Sequence, residues 1–324
     1  MSGRTTHDGP ATWGGLVTLG ETMGLLTPAQ TGPLPTSGPL RLGMAGSESN
    51  VAIGVRRLGL PATWIGRVGN DPVGDLVLRE LRAEQVTVCA VRDDAPTALM
   101  LKERRTADLT RVLYYRAGCA GSHLRPEDVD ADAVSRAQVL HVTGITPALG
   151  QGPADAVGHA VDIARGAGVT VSVDLNYRAR LWPTDVAAPV LRTLLARADV
   201  VFAGEDEARL VAEGDDPEAL VAGLAAYGPA EVVVKRGAEG CVALVDGKPF
   251  ESAAVPVTSV DPVGAGDAFV AGWLAELIAG SGPAVRMATA VAAGAFAVTV
   301  AGDWEGMPRP HELHLLDPSD GVLR

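Results

Sequence analysis

Short runs of β-branched and other apolar residues alternate along the chain with longer stretches in which apolar residues recur every three or four positions. The short runs predict strands at residues 16–19, 139–142, 170–174, 200–203 and 231–235. The longer stretches predict helices at residues 49–58, 73–84, 154–165, 190–197, 217–226 and 268–279. Because alternating strands and helices build a parallel sheet that is covered on both faces, the pattern predicts a doubly wound, mostly parallel α/β fold.

Two segments interrupt this alternation. Residues 30–45 are rich in Gly and Pro and predict an edge strand, whereas residues 97–116 interleave charged and apolar residues and predict a hairpin with one wetted face. Together they would form a small β-sheet lid, inserted in one domain that spans residues 14–316. We expect residues 1–13 and 317–324 to be loosely held termini.

The charge balance argues against two classes of partner. The chain has 27 basic and 39 acidic residues and a net charge of −12, and its largest basic cluster is Lys102-Glu103-Arg104-Arg105. A nucleic acid or an anionic membrane surface is therefore not an expected partner.

Cysteine and histidine usage indicates neither disulfides nor a metal centre. The three cysteines are widely spaced, and the six histidines do not have the spacing of metal ligands. Residues 1–10 have no apolar core of a secretory signal, and the longest uncharged stretch falls short of the roughly 20 residues that a membrane span needs. We expect reduced thiols and a cytoplasmic protein.

The richest chemistry lies in residues 260–269, Val-Asp-Pro-Val-Gly-Ala-Gly-Asp-Ala-Phe, where a strand-like run ends in a glycine turn that opens a helix. The amides of Gly264, Ala265 and Gly266 would point out of the helix N-terminus, which favours a bound anion. A carboxylate at Asp267 would repel a phosphate unless it removes a proton from an attacking hydroxyl, so the pairing suggests phosphoryl transfer. An ordinary helix start, with Asp267 complementing the helix dipole, is the alternative.

Two other glycine-rich motifs do not apply to this turn. No Gly-x-x-x-x-Gly-Lys-Ser/Thr occurs in the chain, and Phe269 stands where the dinucleotide fingerprint needs its third glycine.

Two signatures resemble the ribokinase-like (PfkB) family of sugar kinases over nearly the whole length. One comprises residues 45–59 and 66–74, and the other is the 261–267 turn. Several further segments resemble the subgroup that phosphorylates 2-keto-3-deoxygluconate, namely residues 114–118, 120–122, 141–147, 174–178, 181–182 and 302–306. The resemblance implies a ribokinase-like fold, ATP and Mg²⁺ as cofactors, and a sugar acid as substrate.

The resemblance assigns catalysis to the glycine turn, with Asp267 as general base and the amides of Gly264, Ala265 and Gly266 as the hole for developing negative charge. The residues that it places around the substrate are Gly46, Asn50, Tyr114, Tyr115, Arg116, Arg178, Asp267 and Asp303. Guanidinium matches the carboxylate that a keto-deoxy acid carries and a plain sugar lacks. A surface salt bridge is the alternative for Arg116.

The residues that the resemblance places around the nucleotide are Asn176, Arg178, Lys235, Arg236, Gly237, Ala238, Gly240, Gly264, Ala265 and Gly266. A simple hairpin turn is the alternative for residues 235–240. Glu207 would orient water on Mg²⁺, although a solvated acidic face fits Glu205, Asp206 and Glu207 nearly as well. Gly204 and Met100 depart from residues common in relatives, which bears on metal affinity and on the lid contact to substrate.

The resulting hypothesis is an ATP-dependent kinase that phosphorylates the terminal C6 hydroxyl of 2-keto-3-deoxygluconate. A kinase for fructose, ribose or a nucleoside is one rival, and a non-catalytic sugar- or nucleotide-binding regulator is another. The intact turn ending in Asp267 argues against the regulator, because a pure binder has no need of a base beside a phosphate. By the same resemblance we expect a homo-oligomer that pairs through the lid.

Overall fold

The structure is a computed structural model that describes residues 6–7, 14–106 and 109–316 of the 324-residue chain. Its strands are β1 Thr6–His7, β2 Leu16–Leu19, β3 Met23–Pro28, β4 Leu40–Ala45, β5 Ala62–Gly69, β6 Thr87–Asp93, β7 Leu99–Arg104, β8 Thr110–Tyr115, β9 Val139–Thr143, β10 Thr170–Asp174, β11 Val200–Gly204, β12 Glu231–Lys235, β13 Cys241–Val245 and β14 Lys248–Ser252. Its helices are α1 Ser47–Arg57, α2 Pro72–Ala83, α3 Ala131–Ser135, α4 Gln151–Ala167, α5 Thr184–Leu195, α6 Glu205–Ala208, α7 Pro217–Ala225, α8 Ala265–Ile278 and α9 Pro283–Ala297.

The main sheet joins ten strands of the described residues in the order β1-β6-β5-β2-β9-β10-β11-β12-β13-β14. The pairs from β6 through β12 are all parallel, and the pairs at both ends of the sheet are antiparallel. The doubly wound, mostly parallel α/β fold is confirmed. In such a sheet the ligand residues collect at the carboxyl ends of the strands.

Two hydrophobic cores lie on the two faces of this sheet. One packs α1, α2, α8 and α9 around Trp64 and Trp273, and the other packs α3, α4, α5 and α7 against the opposite side of β9, β10 and β11. Every residue of β5 is buried. Burial on both faces explains why the central strands read as continuous apolar runs rather than as an alternation.

The predicted strands and most of the predicted helices agree with the structure to within a few residues. The largest difference is α5, which begins at Thr184 rather than at residue 190. Pro189 lies inside this helix. Proline lacks an N–H to donate and is usually found at the start of a helix rather than inside it. The sequence pattern therefore predicted a helix that begins at residue 190, directly after Pro189.

The lid is a separate sheet of four strands in the order β4-β3-β7-β8. β7 and β8 form the predicted hairpin, whose tip, Ala107-Asp108, lies outside the described residues. Within residues 30–45 only β4 is a strand, and it lies at the predicted edge. β3 lies between β4 and β7 and pairs with both, and it was not predicted from the sequence.

The chain ends are described only in part. Thr6 and His7 pair antiparallel with β6 as β1, so this part of the predicted loose terminus is a strand. The remainder of residues 1–13 and all of residues 317–324 lie outside the described residues. The proposed domain bounds, 14–316, remain a prediction.

Two residues of the first signature, Arg57 and Asp71, make hydrogen bonds to the segments that border the site. The Arg57 guanidinium at the end of α1 donates to the carbonyl oxygens of Trp304, Glu305 and Met307 at 2.8–3.0 Å, and it stacks over the Trp304 ring. Asp71 caps α2 by accepting from Gly74 N, and its other oxygen accepts from Thr97 N, where the lid hairpin begins. These contacts fix the 304–307 loop and the base of the lid.

Among the helices of the described ranges, none has both the length and the apolar composition that crossing a bilayer requires.

Candidate active site

A cavity of about 420 Å³ lies between the carboxyl ends of β10, β11 and β12, the first turns of α1 and α8, and the inner face of the lid. The predicted site residues among those that line it are Gly46, Asn50, Tyr114, Arg116, Asn176, Arg178, Glu207, Lys235, Gly264, Gly266, Asp267 and Asp303. The structure thus brings together residues that are up to 257 positions apart (303 − 46) in the sequence.

The glycine turn has the backbone geometry of an anion site. Gly264 has φ of +83° and precedes the first residue of α8, and Gly264 and Gly266 line the cavity, so the N-terminus of this helix with its free amides borders it. A Cβ atom at Gly264 would lie 1.8 Å from the carbonyl oxygen of Asp303. Only glycine meets both constraints, because other residues rarely adopt this φ and none would fit.

Asp267 lies in the same first turn, and two side chains of α1 hold its carboxylate. Ser47 Oγ donates to Oδ1 at 2.7 Å, and Asn50 Nδ2 donates to Oδ2 at 2.8 Å. Desolvation raises the pKa of Asp267 to about 7, and the nearby Asp174 adds to this rise, whereas the two hydrogen bonds and Arg178 oppose it. A carboxylate with this pKa is suited to accept a proton near neutral pH.

The predicted residues Asn50 and Asn176 extend this network. Asn176 Nδ2 donates to Ser47 Oγ at 2.7 Å, which leaves the Ser47 proton for Asp267. The buried Oδ1 of Asn50 has no hydrogen-bond partner among the described residues and can accept from a substrate hydroxyl. Ser47 was not predicted as a site residue, although it lies in the first signature beside Gly46.

A second cluster of charges occupies the ends of β10 and β12. Lys235 Nζ binds Asp174 Oδ2 at 2.6 Å, and Glu207 Oε1 lies 3.7 Å from Arg178 Nη1. Burial alone would lower the pKa of Lys235, but Asp174 and Glu207 outweigh it and raise that pKa. Lys235 is therefore a fixed cation near Gly266, whose Cβ position lies 3.6 Å from Nζ.

The same cluster fits a magnesium ion. The buried Oδ1 of Asp174 has no hydrogen-bond partner among the described residues, and Glu207 Oε2 accepts from Gly204 N at 2.8 Å. Desolvation, with Asp174 nearby, raises the pKa of Glu207. Mg²⁺ takes one or two carboxylates together with water and phosphate oxygens, so Asp174 and Glu207 would hold it. Asp174 was missed as a site residue, although it ends a predicted strand.

Arg116 brings positive charge from the lid into another part of the cavity. Its Nη2 lies 2.5 Å from Oε2 of the buried Glu21, and its guanidinium stacks on the Tyr114 ring. The predicted alternative of a surface salt bridge is wrong, because the Arg116 side chain is only 10% exposed and that of Glu21 only 1% exposed. The buried Nε of Arg116 has no hydrogen-bond partner among the described residues.

Several predicted site residues do not line the cavity. Tyr115 is 60% exposed, because alternation along β8 directs it away from the face that carries Tyr114 and Arg116. Arg236 instead binds Glu205, Glu239 and Glu251. The remaining predicted residues that do not line it are Ala265, Gly237, Ala238 and Gly240.

Asp303 lines the cavity, but its carboxylate already has a partner that the sequence did not indicate. Lys102 Nζ, from the lid strand β7, lies 2.7 Å from Asp303 Oδ1. Desolvation raises the pKa of Asp303, and Lys102 opposes this rise.

Comparisons with known proteins agree with this geometry. The family model for pfkB family carbohydrate kinases matches residues 15–310. The chain is 37% identical over 292 residues to a 2-dehydro-3-deoxygalactonokinase of Haloferax volcanii, covering 89% of this chain and 92% of that protein. It is 35% identical over 303 residues to a 2-dehydro-3-deoxygluconokinase of Bacillus subtilis, covering 92% and 93%. An E. coli ribokinase II candidate solved with ATP and Mg²⁺ superposes with a TM-score of 0.86 at 28% identity, covering 94% of this chain and 98% of that chain.

Replacing Asp267 with Asn is expected to lower turnover by about 10²–10⁴-fold, the usual contribution of a general base, while sugar binding persists.

Because the pKa of Asp267 is raised from 3.8 to about 7, the native state binds its proton more tightly than the unfolded chain does. The ionised carboxylate therefore destabilises the fold increasingly as the pH rises from near 3.8 through about 7. Asp267→Asn should accordingly raise Tm at pH 8 more than at pH 4.

Steady-state rates, sugar titrations and melting curves at both pH values check this prediction. Asp206→Asn is the matched control, since the Asp206 side chain is fully exposed. A near-normal rate in Asp267→Asn would contradict the assigned base.

Proposed function

The chain belongs to the pfkB family of carbohydrate kinases, and from that premise we propose that it phosphorylates the terminal C6 hydroxyl of 2-keto-3-deoxygluconate. It is an ATP-dependent sugar kinase, a phosphotransferase with an alcohol acceptor, and it uses Mg²⁺. The substrate and the C6 position are our proposals. They rest on the cavity and on relatives named for 2-dehydro-3-deoxy (2-keto-3-deoxy) sugar acids.

The observation that carries the substrate proposal is the Arg116 guanidinium. Its Nη2 faces Glu21, while its buried Nε lacks a hydrogen-bond partner among the described residues. An unpaired buried donor is costly, and a substrate carboxylate would satisfy it with a charge-assisted hydrogen bond. A neutral sugar offers no comparable partner. Arg178, 46% exposed and in the same cavity, supplies a second cation.

The other residues of the site then have defined tasks. Asp267 accepts the proton of the attacking hydroxyl, while Ser47 and Asn50 hold its carboxylate in place. The amides that follow Gly264 stabilise negative charge on the transferred group, with Lys235 as a nearby cation. Asp174 and Glu207 would hold Mg²⁺, which would neutralise part of the charge on the phosphates. The lid covers the cavity, which excludes water that would otherwise consume ATP.

ADP release with Mg²⁺-ATP and a substrate panel tests the proposal. The panel contains 2-keto-3-deoxygluconate, its C4 epimer 2-keto-3-deoxygalactonate, fructose, ribose and adenosine. We expect turnover on a keto-deoxy acid and little on the neutral compounds. Turnover on a neutral compound alone would overturn the assignment of a sugar acid as substrate and leave the kinase activity standing. Identification of the product by NMR tests the position of transfer, and we expect a 6-phosphate.

Variants of the two arginines test the carboxylate contact directly. Arg116→Lys keeps the charge but loses the planar fork, and Arg178→Met removes the charge. The double variant is expected to lose about 10²-fold or more in kcat/KM on the acid, since each charged hydrogen bond contributes roughly 1.5–3 kcal/mol. Any slow reaction with fructose should fall by a much smaller factor, because it loses only what Arg178 contributes beside Asp267 and the nucleotide.

Arg111→Met is the control, because Arg111 lies on β8, the lid strand that directly precedes Arg116, and is 62% exposed. An equal loss on acid and neutral sugar in the double variant would show that the arginines do not recognise a carboxylate.

We also propose that two copies of the chain pair through their lids. Apolar side chains are exposed on the lid at Leu40, Leu42, Leu109 and Tyr115, with exposures of 44–60%. A second copy would cover them, because exposed apolar patches favour association.

The double variant Leu42→Glu and Tyr115→Glu is expected to shift the protein toward monomer in sedimentation velocity. Val285→Glu is the control, since Val285 is 49% exposed on α9 and lies outside the lid. An unchanged oligomer in the lid variant, or a monomeric parent, would contradict pairing through the lid.

A further inference from the structure

Lys102 is a buried cation beside the glycine turn. It lies on the lid strand β7, and its side chain is 2% exposed. Lys102 does not line the cavity. Its ammonium group instead has three oxygen partners behind the glycine turn: Asp303 Oδ1 at 2.7 Å, Asp261 Oδ2 at 3.1 Å and the carbonyl oxygen of Gly302 at 3.2 Å.

These partners belong to the two segments that support the glycine turn. Asp261 Oδ1 accepts from Val263 N at 3.2 Å, and Asp261 Oδ2 accepts from Gly302 N at 3.3 Å. The backbone of Asp303 packs directly against Gly264, since its carbonyl oxygen occupies the place of the missing Cβ. A shift of Lys102 would therefore be transmitted to Gly264 from both sides.

The same lid strand makes a second contact with this region. Arg104 Nη2 donates to the carbonyl oxygen of Val260 at 2.8 Å. Residues 100, 102 and 104 share one face of β7 because alternate residues of a strand point to the same side, and Met100 on that face lines the cavity. The lid strand β7, which borders the cavity, is thus attached to the residues that precede the glycine turn.

The ammonium group of Lys102 balances the negative charges of the Asp261 and Asp303 carboxylates. Burial would lower the pKa of Lys102, yet Asp303 and Asp261 outweigh it and keep the group charged. Without this cation, two largely buried carboxylates would lie unpaired beside the turn, which is costly and unfavourable for an incoming phosphate.

We propose that Lys102 is a positioning residue for phosphoryl transfer, whose ammonium group connects the lid to the glycine turn and offsets the charges of Asp261 and Asp303 behind it. The inference rests on the kinase activity of the family and goes beyond it by assigning a task to a residue that does not line the cavity. It does not depend on which sugar is the substrate.

Lys102→Met is the direct test, because methionine keeps the apolar stem and ends before the ammonium position. We expect kcat to fall about 10²-fold, the effect of a misplaced reacting group of about 1 Å, while the KM for sugar changes little. The oxygens of Asp261, Asp303 and Gly302 would then surround a vacant cation position. Ammonium or potassium chloride should restore part of the lost kcat, and tetramethylammonium chloride at equal ionic strength should not.

Lys248→Met is the matched control, since Lys248 is exposed on β14, and it should match the parent in every salt. Rates are measured on whichever sugar the parent phosphorylates, so a wrong substrate assignment does not affect the outcome. Near-parental kcat in Lys102→Met would overturn the proposal. A loss of kcat that no small cation restores, in a variant with a normal melting curve, would also overturn it.

If Lys102→Met does not fold, Asp261→Asn decides the question. It keeps the ammonium group and removes one of its two carboxylate partners, so we expect a loss of about tenfold in kcat. Ammonium should restore none of this loss, because Lys102 still occupies the position. Unchanged kcat in Asp261→Asn would overturn the proposal.

Discussion

The contact between the first turns of α1 and α8, made through the Asp267 carboxylate, is the interaction on which the rest of the site depends. Ser47 and Asn50 each donate one hydrogen bond to it. Both helices begin after a glycine, Gly46 and Gly264, and both glycines contact backbone closely on the side where a Cβ would lie. The two helix starts therefore converge on one carboxylate, which is desolvated but still hydrogen-bonded.

The charged groups around this contact are arranged in three separate pairs or clusters. Arg116 and Glu21 form a pair beside the lid. Lys235 lies with Asp174 and Glu207 at the strand ends. Lys102 lies with Asp261 and Asp303 behind the glycine turn. Each cation keeps an acidic partner in the absence of ligand, which limits the cost of burying it. The acidic partners also fix each cation in position, so that little reorganisation is needed when substrates bind.

The architecture and the centre of the site were predictable from sequence because they follow from local patterns. Alternating strands and helices, the glycine turn and its carboxylate are read over a few residues. Lys102 could not be found this way, because its partners Asp261 and Asp303 lie about 160 and 200 positions away. Tyr115 was misplaced because adjacent residues of a strand face opposite sides, and the resemblance alone could not separate it from Tyr114.

Desolvation in the ligand-free pocket prepares the Asp267 carboxylate to accept a proton near neutral pH. The most direct measurement is a ¹³C NMR titration of the Asp267 carboxyl in the ligand-free protein, with the resonance assigned by its absence in Asp267→Asn. We predict a midpoint near the pKa of about 7 that desolvation produces. A midpoint near 3.8, the ordinary value for aspartate, would contradict this account of the site.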